Sequence, residues 1–218
     1  MRAVVVSATR IARKPTPPPP HSPTTGTGAF ARLGYDAADE RAFRRAGSGH
    51  RMSLHTDAEL HRLAEALGER FRQQRLTLVT AESCTGGWIA KTVTDIAGSS
   101  DWFDSGMVAY SYEAKQAMLG VRPETLEYHG AVSRETVIEM VSGALVHSGG
   151  AVAVAVTGIA GPGGGSADKP VGTVWIGWKR RGGYAKAQVF HFDGDRDAVR
   201  RQTVGAALEG LQALIEAS

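Results

Sequence analysis

Residues 76–87 have the sequence Leu-Thr-Leu-Val-Thr-Ala-Glu-Ser-Cys-Thr-Gly-Gly, an apolar run that ends in hydroxyl and thiol side chains and two glycines. The apolar part, 76–80, predicts a buried β-strand. A helical pattern follows directly, from Trp88 to Ile96, and we expect Gly98 to end that helix. A strand that turns through glycines into a helix is a basic unit of α/β folds.

The segments on either side alternate between helical and strand patterns. Thr56-Asp-Ala-Glu59 is a capping box, and apolar residues recur at helical spacing from there to about Gln74. The later patterns predict strands over 106–111 and 151–156, helices over 113–119 and from Ser133, a hairpin of 171–178 and 184–192, and a last helix over 195–217. This alternation, followed by one hairpin, predicts an α/β layered domain with a mixed sheet.

Residues 1–51 differ in composition from the rest of the chain. They contain six of the nine prolines and nine Lys and Arg against three acids, a net charge of +6. Residues 52–218 carry 16 Lys and Arg against 19 acids, a net charge of −3. A segment with so little apolar surface cannot offset the entropy lost on ordering it. We therefore predict a disordered Pro/Arg-rich arm over 1–51 and one folded domain over 52–218.

The arm is predicted to be dispensable, because Met52 directly precedes the first helix signal and is a second candidate start. We expect a chain that begins at Met52 to fold and to act like the full chain. Melting temperature and turnover of the two chains test this, and a large loss of either on truncation would contradict it. The alternative is a basic arm that binds nucleic acid or another partner.

Composition excludes several classes of protein. With 218 residues, 42% hydrophobic and 22% charged, the chain is typical of a globular protein. No apolar run approaches the roughly 18 residues of a membrane helix, so we expect no membrane contact. With one cysteine in the chain, the reducing cytoplasm is the expected compartment. The single cysteine, Cys84, excludes an intramolecular disulfide, and the seven histidines have no metal-site spacing. The mildly acidic folded part argues against nucleic-acid binding.

The turn 81–87 is the first candidate site. Ser83, Cys84 and Thr85 stand where a strand runs into a helix, so that backbone amides and the positive helix end can hold a phosphate or stabilise an oxyanion. The alternative is a helix N-cap with glycines for tight packing. Cys84 competes with Ser83 as the nucleophile, but a free cysteine without a neighbouring histidine is more typical of a small core residue.

A second candidate site is the pair Tyr110 and Lys115, at the end of a predicted strand and the start of the next helix. A lysine that is desolvated near a serine can act as a general base. The alternative is a solvated helix lysine with a half-buried tyrosine.

Two further segments are candidates for ligand contact. The glycine-rich loop 157–170 permits a close approach of the backbone to a ligand, or is a mobile surface loop. At the start of the last helix, Asp195 is a natural N-cap. Arg196 and Arg200 can reach a carboxylate or a phosphate from there, although ion pairs on the helix surface are the favoured interpretation.

Four segments together resemble one protein family. They are TAESCTGGWIAKTVTDIAGSSDWFDSGMVAYSYEAK at 80–115, HGAVS at 129–133, TGIAGPGGGSADKPVGTVWIGW at 157–178 and FDGDRDAVRRQT at 192–203. In this order they resemble the CinA C-terminal domain family, and within it the stand-alone nicotinamide-nucleotide amidohydrolases, over about residues 57–216. Residues 1–51 have no counterpart. Tyr112 departs from the pattern, because the family often has Asn there.

The resemblance implies a three-layer α/β/α sandwich that is homo-oligomeric, most often a dimer. It implies hydrolysis of nicotinamide mononucleotide to nicotinate mononucleotide and ammonia in pyridine nucleotide salvage, without a metal or another cofactor. The family's catalytic serine, lysine and tyrosine region fall on Ser83, Lys115 and Tyr110. The predicted oxyanion and substrate-binding residues are Thr85, Gly86, Thr157, Gly158, Gly161, Gly164 and Arg196. The competing functions are a non-catalytic pyridine-nucleotide-binding module and a competence or DNA-damage accessory protein.

Overall fold

The structure is a computed structural model that describes residues 55–217. The predicted arm over 1–51 and the second start at Met52 lie outside the described residues. The helices are α1 Asp57–Gln74, α2 Trp88–Thr94, α3 Tyr112–Leu119, α4 Pro123–His129, α5 Arg134–Val146 and α6 Arg196–Glu216. The strands are β1 Leu78–Glu82, β2 Phe103–Val108, β3 Val152–Gly158, β4 Thr173–Arg180 and β5 Lys186–His191.

The five strands form one sheet in the order β2-β1-β3-β4-β5. β1 pairs in parallel with β2 and β3, whereas β4 is antiparallel to β3 and β5 is antiparallel to β4. The sheet is therefore mixed, and the predicted hairpin of β4 and β5 is confirmed.

Helices cover both faces of the sheet, because successive strand residues point to opposite sides. Val152, Val154 and Val156 of β3 pack with α1, α2 and α6. Ala153 and Ala155 of the same strand pack with α3, α4 and α5. The predicted α/β/α sandwich is confirmed. No helix within residues 55–217 combines the length and apolar character that a membrane span needs.

Capping residues begin or end four helices where the sequence predicts: α1, α3, α5 and α6. In the capping box before α1, the Glu59 amide donates to Thr56 Oγ1 at 3.2 Å and the Thr56 amide donates to Glu59 Oε2 at 2.7 Å. Ser133 and Asp195 cap α5 and α6 with their side-chain oxygens. Gly120, at φ 66°, ends α3. These caps satisfy amides and carbonyls that a helix end leaves unpaired.

Most predicted bounds are displaced by one or two residues, and those of α2 and β2 differ most from the structure. α2 ends at Thr94 rather than at Gly98, because the chain turns there and brings Trp102 under α1, 0% exposed and 5.7 Å from the Phe71 ring. β2 begins at Phe103 rather than at residue 106, since its register against β1 starts at Phe103. In both cases a distant packing partner sets the boundary.

The topology marks one end of β1 as the natural position for a site. β1 lies between β2 and β3 in the sheet. The connection from β1 to β2 runs over one face through α2, and the connection from β2 to β3 runs over the other face through α3 to α5. Ligands of α/β proteins bind at such a switch point, beyond the carboxyl ends of the strands. Ser83 directly follows β1 at this point.

Candidate active site

The turn from Ser83 to Gly87 joins β1 to α2. The Ser83 amide donates to the Val156 carbonyl of β3 at 3.1 Å, and the Gly86 amide donates to the Ser83 carbonyl at 3.1 Å. Gly86 and Gly87 have φ angles of 63° and 93°, a region that favours glycine. The two glycines are therefore required by the tight turn that presents Ser83.

The buried carboxylate of Glu82 is hydrogen-bonded to this turn and to the start of α2. Glu82 is 0% exposed and accepts hydrogen bonds from Thr85 Oγ1 at 2.7 Å and from the amides of Gly87, Ile89 and Ala90 at 2.8–3.0 Å. An anion at a helix N-terminus is stabilised by the helix dipole. Glu82 was not among the residues predicted for the site, although an acid just before a helix start is a recognisable signal.

Glu82 also corrects one sequence-based expectation. The amides at the start of α2 were predicted to be able to hold a phosphate, but those of Gly87, Ile89 and Ala90 already bind the Glu82 carboxylate. A second anion at this helix end would meet like charge. A phosphate group must therefore be bound elsewhere.

Ser83 and Lys115 lie in contact, although 32 residues separate them in the chain. Lys115 Nζ is 2.9 Å from Ser83 Oγ, and the two residues are 1% and 8% exposed. This excludes the solvated helix lysine that was the alternative interpretation. Burial lowers the pKa of Lys115, because an ammonium loses its hydration there. Desolvation is the largest cause of the lowered pKa.

The remaining partners of Lys115 suit a neutral amine. Nζ donates to the carbonyl of Ala109 at 2.9 Å and to that of Tyr110 at 3.4 Å. Three oxygen acceptors can serve the three donors of an ammonium. In the neutral form, the two carbonyls would take both N–H donors and the lone pair would face the Ser83 hydroxyl. Within the described part of the chain, no acidic side chain pairs with Lys115.

Cys84 points into the core that α1, α2 and α6 share with the sheet. It is 5% exposed, and burial raises the pKa of its thiol to about 12. The thiolate is the nucleophilic form of cysteine, and it is scarce at neutral pH with such a pKa. The interpretation of Cys84 as a core residue fits this environment.

Tyr110, Arg196 and Gly161 come together at the mouth of the site. Arg196 Nη2 donates to Tyr110 Oη at 2.9 Å, and Nη1 donates to the Gly161 carbonyl at 2.7 Å. Tyr110 is 59% exposed. Its phenol is bonded to Arg196, while its carbonyl accepts from Lys115.

The other predicted substrate contacts have mainly internal partners. Thr157 is 1% exposed and donates its hydroxyl to the Ala131 carbonyl at 2.7 Å. Gly158 and Gly161 pack so closely on β4 and the residues before it that an added Cβ would lie 2.6 Å from a valine methyl. Gly164, at φ 89°, lies in the exposed part of the loop. Tyr112 accepts at its Oη from the Ala131 amide at 3.3 Å.

The favoured interpretation of Arg196 and Arg200 as helix-surface ion pairs is wrong. In the region that the structure describes, both donate to backbone carbonyls and neither pairs with an acid. The reason is that the first turns of α6 face the loops at the ends of β1 and β3. The next residue, Arg201, does form ion pairs, with Asp57 and with Asp197 at 3.5 Å.

Across residues 55–217, no three His, Cys, Asp or Glu side chains cluster in a way that would hold a metal ion. The site itself combines a hydroxyl next to a buried lysine, a glycine turn with backbone amides, and an arginine at the entrance.

Known proteins are similar to this chain over most of residues 55–217. The model of the family described as CinA C-terminal domain matches residues 60–215. The nicotinamide-nucleotide amidohydrolase PncC of Escherichia coli K12 is 54% identical over 156 residues, which cover 72% of this chain and 94% of that protein. The protein of the same name from Pseudomonas putida is 53% identical over 149 residues, 68% of this chain and 92% of that protein.

A solved structure is also similar. The competence/damage inducible protein CihA from Agrobacterium tumefaciens superposes with a TM-score of 0.70 at 48% identity, covering 74% of this chain and 98% of that one. The stretch that the family model matches contains the Ser83 turn, Lys115 and Arg196, and the resemblance noted in the sequence is confirmed. This chain belongs to the CinA C-terminal domain family.

Proposed function

We propose that this chain hydrolyses the carboxamide of nicotinamide mononucleotide, with Ser83 as the nucleophile, to give nicotinate mononucleotide and ammonia. That it is a nicotinamide-nucleotide amidohydrolase follows from relatives of that name, which are 53–54% identical and matched over 92–94% of their length. The observation that carries the mechanism is the 2.9 Å contact between Ser83 Oγ and the buried Lys115 Nζ.

Acylation begins with neutral Lys115. Its lone pair takes the Ser83 proton while Ser83 Oγ bonds to the carboxamide carbon. The negative charge that develops on the carboxamide oxygen needs a hydrogen-bond donor. Lys115 then gives the proton to the amide nitrogen, the C–N bond breaks and ammonia leaves. The product of this half-reaction is an ester between Ser83 and the nicotinate group.

In deacylation, a water molecule takes the place of Ser83 as the nucleophile and Ser83 becomes the leaving group. A water molecule gives a proton to Lys115 as its oxygen bonds to the ester carbon. The ester C–O bond breaks, and the proton returns to Ser83 Oγ. One water is consumed and the amide becomes a carboxylic acid, which ionises at neutral pH.

The Thr85 amide is the proposed oxyanion donor. The Gly86 amide, which was predicted to share this role, already donates to the Ser83 carbonyl. The Thr85 amide has no acceptor among the described residues, and it lies two residues from the nucleophile. The Thr85 hydroxyl donates to Glu82 Oε2 at 2.7 Å, which fixes this residue in the turn beside Ser83.

Arg196 is the proposed partner of the substrate's phosphate. It is exposed at the mouth of the site, and within residues 55–217 no acid offsets its charge. Its two present bonds go to neutral oxygens, so the guanidinium retains donors for an anion. Arginine is well suited to phosphate groups because its planar fork matches two oxygens. Tyr110 and the Gly161 carbonyl hold this fork in place.

Catalysis is favoured over a non-catalytic nucleotide-binding module by the buried lysine. Removing an amine from water costs free energy, and Lys115 contacts a hydroxyl rather than a compensating acid. A module that only bound nucleotides has no use for a buried amine next to a hydroxyl. An amidohydrolase needs a general base, and burial of Lys115 provides one.

Release of ammonia by the purified full chain tests the proposal. We expect ammonia and nicotinate mononucleotide to form in equal amounts from nicotinamide mononucleotide. Nicotinamide riboside, which lacks the phosphate, should react with a kcat/KM lower by about tenfold to a hundredfold, the value of a hydrogen bond to a charged group. Binding of the mononucleotide without ammonia release would instead indicate a binding module, and neither binding nor turnover an accessory protein.

A further inference from the structure

Arg200 contacts the nucleophile turn through two backbone carbonyls. It lies one turn after Arg196 on α6, half-buried. Its Nε donates to the Cys84 carbonyl at 3.1 Å and its Nη2 donates to the Thr85 carbonyl at 2.7 Å. One guanidinium therefore holds two successive peptide groups, across more than 110 residues of sequence.

The geometry of the peptide bond gives this contact a consequence for the amides. In a trans peptide, the carbonyl of one residue and the amide of the next point in opposite directions. The carbonyls of Cys84 and Thr85 point to Arg200 on α6, so the amides of Thr85 and Gly86 point away from α6. α3, which carries Lys115, packs on the opposite face of the sheet. The Thr85 amide is thereby directed toward the lysine side of the turn.

The charge of Arg200 is directed at this turn, and among residues 55–217 no acid forms an ion pair with it. Its guanidinium lies over the Trp88 ring, 5.2 Å from the ring centroid, a contact that holds the plane of the fork. In the described structure its hydrogen bonds go only to carbonyls. The same charge acts on the neighbouring thiol. Burial raises the pKa of Cys84 to about 12, and the positive charge of Arg200 lowers that pKa by a smaller amount.

We infer that Arg200 is a positioning residue for the proposed hydrolysis, which holds the Thr85 amide in place as the oxyanion donor. Its hydrogen bond to the Cys84 carbonyl also polarises the peptide group to which that amide belongs, and this makes the amide a stronger donor. Arg200 touches neither the substrate nor Ser83 Oγ. The inference rests on the proposed function.

Arg201 is a matched control for Arg200. It is the next residue of the same helix, and its guanidinium lies over the same Trp88 ring at 4.9 Å from the centroid. Its ion pairs with Asp57 and Asp197 lie away from the nucleophile turn. Replacing Arg201 thus removes an arginine of similar packing without releasing the Cys84 and Thr85 carbonyls.

The test compares Arg200→Met and Arg200→Lys with Arg201→Met in deamidation of nicotinamide mononucleotide. We expect kcat to fall about 100-fold in Arg200→Met, the effect of a small displacement of a catalytic group. The fall should be smaller in Arg200→Lys, which can keep one carbonyl bond. KM should be about unchanged, and Arg201→Met should keep its kcat. A kcat in Arg200→Met equal to that of Arg201→Met, or a loss confined to KM, would overturn the inference.

A second measurement separates this inference from the proposed function. The backbone amide resonance of Thr85 reports on the Cys84 carbonyl bond whether or not the enzyme turns over. It should shift in Arg200→Met and stay in place in Arg201→Met, and an unchanged resonance in both would refute the positioning role. A wild-type chain that releases no ammonia would refute the proposed function, with the Thr85 resonance still testing the contact.

Discussion

Ser83→Ala is expected to abolish deamidation of nicotinamide mononucleotide, with kcat falling by at least about 10⁴-fold, as it does when a serine nucleophile is removed. An acyl-enzyme cannot form without the hydroxyl. The fold should persist, because the backbone bonds of Ser83 to Val156 and Gly86 do not involve its side chain. Ammonia release measures the loss, and an unchanged melting temperature shows that the turn is intact.

Cys84→Ala is the matched control for this substitution. Cys84 is the adjacent residue and is buried to a similar degree, but its thiol, with a pKa of about 12, lies in the core. We expect this variant to retain most of the activity. The reverse pattern, with Cys84 essential and Ser83 dispensable, would falsify the serine mechanism.

Lys115→Arg should lose roughly 10³-fold in kcat although it keeps the positive charge, because a guanidinium does not deprotonate and cannot act as the base. Lys115→Met should be inactive as well but should still bind the substrate. Turnover measures the first effect, and binding of nicotinamide mononucleotide measures the second. Lys91→Arg is the control, since Lys91 is an exposed lysine paired with Asp95 at 2.6 Å, and it should leave turnover unchanged.

The pH dependence of the wild-type enzyme tests the same residue. Only the neutral amine can accept the Ser83 proton, and its fraction rises with pH. Burial lowers the pKa of Lys115, so kcat/KM should rise through one ionisation below the value of about 10.4 of a free lysine and then level off. An active Lys115→Arg variant with the same profile would mean that Lys115 serves as a fixed charge. The base would then be Tyr110 or a water molecule.

Elements whose signals lie within a few residues could be predicted from the sequence. The capping box of Thr56 and Glu59 and the caps Ser133 and Asp195 act over three residues, so the sequence alone specifies these helix starts. α4 was not predicted, since it has little apolar periodicity, although Pro123 at its first position is a recognised signal. The boundaries of α2 and β2 were displaced because packing partners elsewhere in the chain set them.

The candidate site also combines residues that are close in the sequence, which could be predicted, with contacts between distant segments, which could not. The Ser83 turn and its glycines form a continuous segment, so the residue types and their spacing identified it. The 2.9 Å approach of Lys115 to Ser83 bridges 32 residues, and the contacts of Arg200 with Cys84 and Thr85 bridge 116 and 115. Glu82 lies next to the turn, but its binding of the amides at the start of α2 depends on burial, which shields its carboxylate from solvent.

The order of helices and strands, the glycine turn and the candidate nucleophile depend on neighbours along the chain, so they could be predicted from the residues alone. The burial of Lys115 against Ser83, the binding of Glu82 to the amides at the start of α2, and the bonds from the first arginines of α6 to carbonyls emerge only in the folded protein. They depend on which side chains the five-stranded sheet and its two helix layers bring together and shield from water.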